Sequence, residues 1–174
     1  MRLQIGLIMK KEMIGGNVTK NKILVLDDII SESDCKYLIS LYEEKGPTHE
    51  WSGTYPMSIG NCPISQKIHP FILKIQDSIN EYKNLNVKVD WCEIVKWPAN
   101  SFKQDHYDSS SDQTVFASIT YLNDDYSGGE TYLVNDLVVK PKRGRVIAFD
   151  GQQYLHGVSR VSAGDRYTIA IWYK

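Results

Sequence analysis

Hydrophobic and polar positions along this chain follow two periods, and the change from one to the other divides it. Leu3, Ile5, Leu7 and Met9 alternate in strand fashion before Gly15-Gly16-Asn17 marks a turn. Lys22 to Leu26 reads as a strand closed by Asp27-Asp28. The period then becomes helical. Cys35, Leu38, Ile39 and Tyr42 fall at i, i+3, i+4 and i+7 and make one apolar stripe. Ser31 is the expected N-cap, Asp34 is placed as in a capping box, and Gly46-Pro47 is the expected stop. Ile68, Phe71, Ile72, Ile75, Ile79 and Tyr82 predict a second helix, from near Ser65 or His69 to about Lys83, with Pro70 tolerable only in its first turn. Between the two helices, Pro47 to Pro63 carries Gly, Pro, Ser and Asn but also Trp51, Tyr55 and Met57. That mixture suits a lid or binding loop as well as a loop pinned by its own hydrophobic residues.

After Asn84 the strand period takes over. Val87, Val89 and Trp91 alternate, and the run continues through Val95 and Trp97 to Pro98-Ala99-Asn100. Further strands are expected at Val115 to Leu122, Glu130 to Val134, Leu137 to Val139, Gly144 to Phe149 and Arg166 to Tyr173. Two helices followed by many strands predict a mainly β chain with helices packed outside a β-sandwich or jelly roll. A length of 174 residues suits a single domain over 1–174. The net charge of −1, with no clustered basic stripe, gives no electrostatic argument for nucleic acid or an anionic membrane. No apolar run is long enough to span a bilayer, and residues 1–11 lack the apolar core and cleavage site of a signal peptide. Cys35, Cys62 and Cys92 are odd in number and far apart, which argues for reduced thiols and a cytoplasmic location.

The chemistry is expected at Gln104-Asp105-His106-Tyr107-Asp108. In an extended strand, residues i and i+2 point to one face, so His106 and Asp108 could converge on one cation. Alone, the pair is a weak signal and reads sooner as a surface histidine beside a solvated aspartate. His156, in Tyr154-Leu155-His156-Gly157-Val158, changes the weighing. In a jelly roll, strands distant in sequence face one another across the mouth. His106, Asp108 and His156 would then form the two-histidine, one-carboxylate triad that leaves metal positions open, the ligand set of non-haem Fe(II) oxygenases. Arg166 heads a run that otherwise reads as a buried strand, Tyr167-Thr168-Ile169-Ala170-Ile171-Trp172. A guanidinium there needs an anionic partner, and a carboxylate is its best geometric match. Thr168 shares its face and can add a hydroxyl. His49 and His69 read as exposed or capping residues.

Taken together, these pieces resemble the prolyl 4-hydroxylase group of Fe(II)/2-oxoglutarate-dependent dioxygenases. The resemblance covers about residues 23–174 and leaves 1–20 as an N-terminal extension. It rests on Trp97-Pro98-Ala99-Asn100 ahead of His106-Tyr107-Asp108, and on Ile119-Thr120-Tyr121-Leu122-Asn123-Asp124 leading to Gly128-Gly129-Glu130-Thr131. It also rests on Pro141-Lys142-Arg143-Gly144-Arg145 before Phe149, on His156-Gly157-Val158, and on Gly164-Asp165-Arg166-Tyr167 with Trp172. The resemblance implies a double-stranded β-helix core, a jelly roll of the cupin kind, with helices on one sheet. It implies Fe(II) held by His106, Asp108 and His156, and 2-oxoglutarate whose far carboxylate meets Arg166, supported by Tyr121 and with Thr168 nearby. Dioxygen is the second cosubstrate and ascorbate an expected reductant. The implied substrate is a peptidyl proline, with Trp51, Tyr55, Tyr126 and Tyr154 available as docking aromatics. The alternatives are the same chemistry on a free amino acid, another side chain or a small molecule, and a cupin-like metal and 2-oxoglutarate-binding module without turnover. The chain departs from the family at Trp97, where tyrosine is frequent, and at Asn100, where glycine is frequent. An indole donates but cannot accept, so Trp97 reads as a core aromatic. Asn100 is compatible with a left-handed turn.

Overall fold

The computed structural model describes residues 18–20, 23–61, 64–108 and 116–174. In chain order the elements are β1 (Val18–Lys20), β2 (Ile23–Leu26), α1 (Glu32–Lys45), β3 (Tyr55–Ser58), a 3₁₀ turn (Ile59–Asn61), α2 (Ser65–Lys83), β4 (Val89–Trp97) and β5 (Lys103–His106). They continue with β6 (Phe116–Tyr121), β7 (Ser127–Gly128), β8 (Thr131–Leu133), β9 (Leu137–Val139), β10 (Val146–Phe149), β11 (His156–Val158), β12 (Val161–Ala163) and β13 (Arg166–Tyr173). Among the described residues the strands form a seven-stranded sheet, β1-β2-β10-β6-β13-β4-β3, a four-stranded sheet, β5-β11-β8-β9, and the small pair β12-β7. The strand pairings are antiparallel. The fold is a double-stranded β-helix with helices outside it, as the resemblance implies, where the change of period left a β-sandwich or a jelly roll open.

The alternation of side chains along each strand builds two cores. Leu24, Leu26, Ile94, Val146, Ala148, Ile169 and Ile171 face outward from the large sheet and pack with Cys35, Leu38 and Tyr42 of α1 and Ile68, Ile72, Ile75 and Ile79 of α2. Ile23, Val25, Tyr121, Ile147 and Phe149 face inward and meet Leu133, Leu137 and Val139 of the small sheet. Each fully buried Ile or Leu contributes about 1.5–3 kcal/mol of hydrophobic stabilisation. On β13 this division leaves Arg166, Thr168, Ala170 and Trp172 directed to the inside of the roll.

The helix ends follow their local chemistry. Ser31 Oγ accepts from Asp34 N at 3.2 Å, and Gly46, at φ 73°, ends α1 by donating to Tyr42 O at 2.7 Å. The buried stripe of α1 uses Leu41 together with Leu38 and Tyr42, while Ile39 is only partly buried. α2 starts at Ser65, so Pro70 stands inside the helix and not in its first turn. Gln66, whose carbonyl Pro70 cannot serve, is exposed, as is Pro70, and water can replace the lost hydrogen bond. The expected long loop from Pro47 is instead shaped into a tight turn at Trp51–Thr54 and the edge strand β3 against β4. Pro56 is admissible there because an edge strand leaves one side unpaired. The expectations for residues 1–17, Cys62 and Val115 lie outside the described residues. No helix among the described residues is long and apolar enough to cross a membrane.

Candidate metal centre

His106 ends β5, Asp108 follows it, and His156 opens β11. The antiparallel register sets His156 opposite His106. Asp108 is fixed by its own backbone, whose N–H donates to Gly151 O at 2.9 Å. One ligand atom from each of His106, Asp108 and His156 lies within 4.8 Å of the others. The Nε2 atoms of His106 and His156 stand 3.9 and 3.7 Å from the same oxygen, Asp108 Oδ1. The two imidazole rings are 4.2 Å apart, centroid to centroid.

The tautomers are set by the backbone. His106 Nδ1 lies 2.8 Å from Gln104 O, and His156 Nδ1 lies 2.9 Å from Tyr154 O. A carbonyl only accepts, so Nδ1 carries the proton in both rings and Nε2 keeps its lone pair directed inward. Both bonds run from residue i to i−2, one arrangement used twice. Burial lowers the His156 pKa, which favours the neutral ring that a metal ligand needs. Asp108 Oδ2 is buried without a hydrogen-bond partner. A Cβ on Gly151 would come within 2.2 Å of that oxygen, so glycine is what leaves the carboxylate its room. Two imidazole nitrogens and Asp108 Oδ1 facing one point, on a carboxylate whose other oxygen has no hydrogen-bond partner, fit a divalent cation with octahedral preference.

A second unsatisfied group lies behind this cluster. Arg166 is wholly buried, and its Nε and Nη1 have no hydrogen-bond partner. Nη2 donates to Thr131 Oγ1 at 3.3 Å, and the guanidinium carbon stands 4.8 Å from the Trp97 ring centre and 5.3 Å from that of Tyr121. Trp97 Nε1 and Tyr126 OH are also buried without partners. Burial pushes the Tyr126 phenol up, with Arg166 pulling the other way. Buried donors without acceptors in one neighbourhood are the signature of an anion site. Gly129, at φ 68°, has Arg166 Cδ 2.9 Å from where its Cβ would be, and so makes room for the arginine.

The expected site residues are placed as follows. His106, Asp108 and His156 come together. Tyr121 sits beside Arg166, but its hydroxyl donates to Thr131 Oγ1 at 2.8 Å and accepts from Thr131 N at 3.2 Å. It therefore reaches Arg166 through Thr131. Thr168 is buried on the Arg166 face and pairs in register with Tyr121 and Val95. Of the docking aromatics, Trp51 lines the cleft, whereas Tyr126 packs beside Arg166 and Tyr154 against the inner core. Thr131 and Gly151 were not expected in the site, and Tyr126 was expected only as a docking aromatic. Thr131 belongs to the Gly128-Gly129-Glu130-Thr131 stretch and was open to selection by the same face rule that selected Thr168. Nothing in the sequence marks Gly151. The cleft holds about 750 Å³ of non-atom space, part of it open to solvent, between the two sheets. Its walls include Trp51, Trp97, Trp172, Phe149 and the three candidate ligands.

Residues 92–174 match the sequence model of the 2OG-Fe(II) oxygenase superfamily. The chain is 23% identical over 195 aligned positions to prolyl 4-hydroxylase 1 of Arabidopsis thaliana, covering 87% of this chain and 68% of that protein. It is 35% identical over 66 residues to prolyl 3-hydroxylase 2 of Rattus norvegicus, covering 33% of this chain and only 9% of that much longer protein. The viral collagen prolyl hydroxylase vCPH of Paramecium Bursaria Chlorella virus-1, solved as its 2OG complex, superposes with a TM-score of 0.71 at 21% identity. That likeness covers 88% of this chain and 95% of the viral one and is a likeness of fold.

Proposed function

We propose that this chain, whose residues 92–174 match the sequence model of the 2OG-Fe(II) oxygenase superfamily, is an oxygenase of that kind and hydroxylates a prolyl residue in a peptide or protein. The observation that carries the reading is the convergence of His106, Asp108 and His156 on one point in front of a buried, half-satisfied Arg166. Family membership implies Fe(II), 2-oxoglutarate and dioxygen. His106 Nε2, His156 Nε2 and Asp108 are the residues that would hold the iron, and Arg166 would take the far carboxylate of 2-oxoglutarate. With dioxygen, the bound iron and cosubstrate supply oxidative decarboxylation, which yields succinate, carbon dioxide and one hydroxyl on the substrate carbon.

The chain's own part is positional and electrostatic. The Gln104 and Tyr154 carbonyls hold the two imidazoles in the metal-binding tautomer and orient them. Arg166, fixed by Thr131, offers Nε and Nη1 to a carboxylate in a water-free setting, where a bidentate pair is strongest. Trp97 Nε1 and Tyr126 OH are further donors to that end of the cosubstrate, and Trp97, unlike a core aromatic, has an N–H that needs an acceptor. Trp51 and Trp172 on the cleft walls offer aromatic surface to the substrate. Residues 23–174 act as one catalytic unit.

The test uses purified protein with Fe(II), ascorbate and 2-oxoglutarate under air. Succinate is followed with and without a panel of proline-containing peptides, and each peptide is weighed for added oxygen. Peptide-stimulated succinate with oxygen on proline is the expected result. Turnover that no proline peptide stimulates would overturn the substrate assignment and favour a free amino acid or small molecule. No succinate from folded, iron-loaded protein would leave a binding module.

A further inference from the structure

Glu93 lines the same cleft, and the reaction above makes no use of it. It lies on β4 four residues before Trp97, on the same inward face. β13 sets Ala170 opposite Glu93, as it sets Arg166 opposite Trp97. The two positions mark two ends of one wall. One end holds cationic and N–H donors that lack an acceptor. The other, roughly 13 Å further along the strand at ~3.3 Å per residue, holds an acid.

The Glu93 side chain is only 9% exposed. Ser58 Oγ donates to its Oε1 at a long 3.4 Å, and His49 Nε2 stands 3.7 Å from the same oxygen, beyond hydrogen-bond length. The His49 ring is itself 44% exposed. Neither neighbour is a permanent cation. Of the other charged groups on the cleft walls, Asp108 belongs with the metal. Lys103 rests its ammonium 3.8 Å from the centre of the Trp51 ring, where burial lowers its pKa and the Asp108 charge opposes the shift. A carboxylate taken out of water among aromatic walls is costly until a cation meets it. Trp172, on the same cleft, offers a ring on which ammonium and guanidinium groups bind well, as Lys103 does on Trp51.

We propose that Glu93 is a specificity-determining residue that selects a substrate carrying an alkylammonium or guanidinium group beside the carbon to be hydroxylated. The inference rests on the prolyl reading for what the neighbouring carbon belongs to. The charge requirement follows from Glu93 alone. The cation comes from a Lys or Arg side chain next to the target, or from the free amine of a chain that begins at it.

The test measures binding, without turnover, to protein loaded with Mn(II) and 2-oxoglutarate. The probes are acetyl-Pro-Lys-amide, acetyl-Lys-Pro-amide, acetyl-Pro-Gln-amide, acetyl-Pro-Glu-amide, acetyl-Gly-Lys-amide and unblocked Pro-Gln-amide. At least one cationic proline probe should bind about tenfold or more tighter than acetyl-Pro-Gln-amide, the basic side chain and the free amine being told apart by which one does. Glu93→Gln should bring that ratio to within about twofold, and Glu93→Lys should turn it toward acetyl-Pro-Glu-amide. Unchanged 2-oxoglutarate affinity in both variants shows that the site still folds. If acetyl-Gly-Lys-amide binds as well as its proline counterpart and still depends on Glu93, the cation subsite stands and the prolyl reading falls. Proline probes that bind alike whatever their charge, a Glu93→Gln loss equal for all probes, or no binding of any probe to 2-oxoglutarate-competent protein would each overturn the proposal.

Discussion

At the scale of single residues, the site is defined by polar atoms that lack partners. Arg166 is the sharpest case, wholly buried with two N–H groups unanswered. Arg166→Met keeps most of the volume and removes the charge. It should weaken 2-oxoglutarate by about 30-fold or more, since losing one member of a buried charge pair costs about 2–5 kcal/mol. Mn(II) affinity should stay within about twofold. Calorimetric titration of both ligands checks this, and a parallel loss of metal affinity would contradict the separation of the two subsites. Gly151 provides the converse test. Gly151→Ala sets a methyl against Asp108 Oδ2 and should cut metal affinity by about 10–100-fold, as disturbed supports of metal ligands do, while circular dichroism stays native. Residues with distinctive chemistry were legible in the sequence. His106, Asp108, His156 and Arg166 could be singled out because few residue types offer a metal ligand or a charge that pairs with a carboxylate, and the structure brings the first three together. Thr131, Gly151 and the place of Tyr126 beside Arg166 were not legible, because these roles come from neighbours brought in by the fold: Thr131 touches both Tyr121 and Arg166 across two sheets.

At the scale of elements, local signals located the helices and central strands. Ser31 and Gly46 bound α1 through their own hydrogen bonds, which is why its ends could be read. β3, β7 and β12 escaped notice, being two to four residues long and depending on partner strands. The junction of β2 with the approach to β10 is held by charge. Arg145 Nε and Nη2 donate to Asp27 at 2.6 and 3.1 Å, and Lys142 Nζ donates at 3.1 Å. The Arg145 hydrogen bond holds the Asp27 pKa below its ordinary 3.8, with burial opposing it. A carboxyl group with a depressed folded pKa stabilises the fold above its unfolded pKa and stops doing so as pH falls through the folded value. Asp27→Asn should therefore cost about 2 kcal/mol or more at pH 7, because it leaves Arg145 buried beside a neutral group. The gap from the native chain should close below about pH 3.8. Urea unfolding of both proteins at several pH values measures this, and a gap independent of pH would show that the pair's charge contributes nothing.

At the scale of the whole molecule, one sheet bears both ends of the chemistry. The large sheet carries Arg166 and Trp97 at one end of its inner face and Glu93 at the other. The small sheet lays the three candidate ligands over the middle. The helices touch only the outer face and so brace the sheet without entering the cleft. On the proposed reading, this arrangement would give an anionic cosubstrate and a cationic substrate separate approaches to one metal. The jelly roll itself was legible because a helical period gives way to a strand period once along the chain. The cleft wall was not, because which strands face each other depends on crossovers that no local pattern encodes. The most direct measurement is a turnover experiment under isotopically labelled dioxygen, with Fe(II), 2-oxoglutarate and a proline peptide that carries a basic residue. One labelled atom in succinate and one in the hydroxylated peptide, formed in equal amounts and lost together in Asp108→Ala, is the expected result. Label absent from the peptide while succinate forms would contradict the hydroxylation proposed for this cleft.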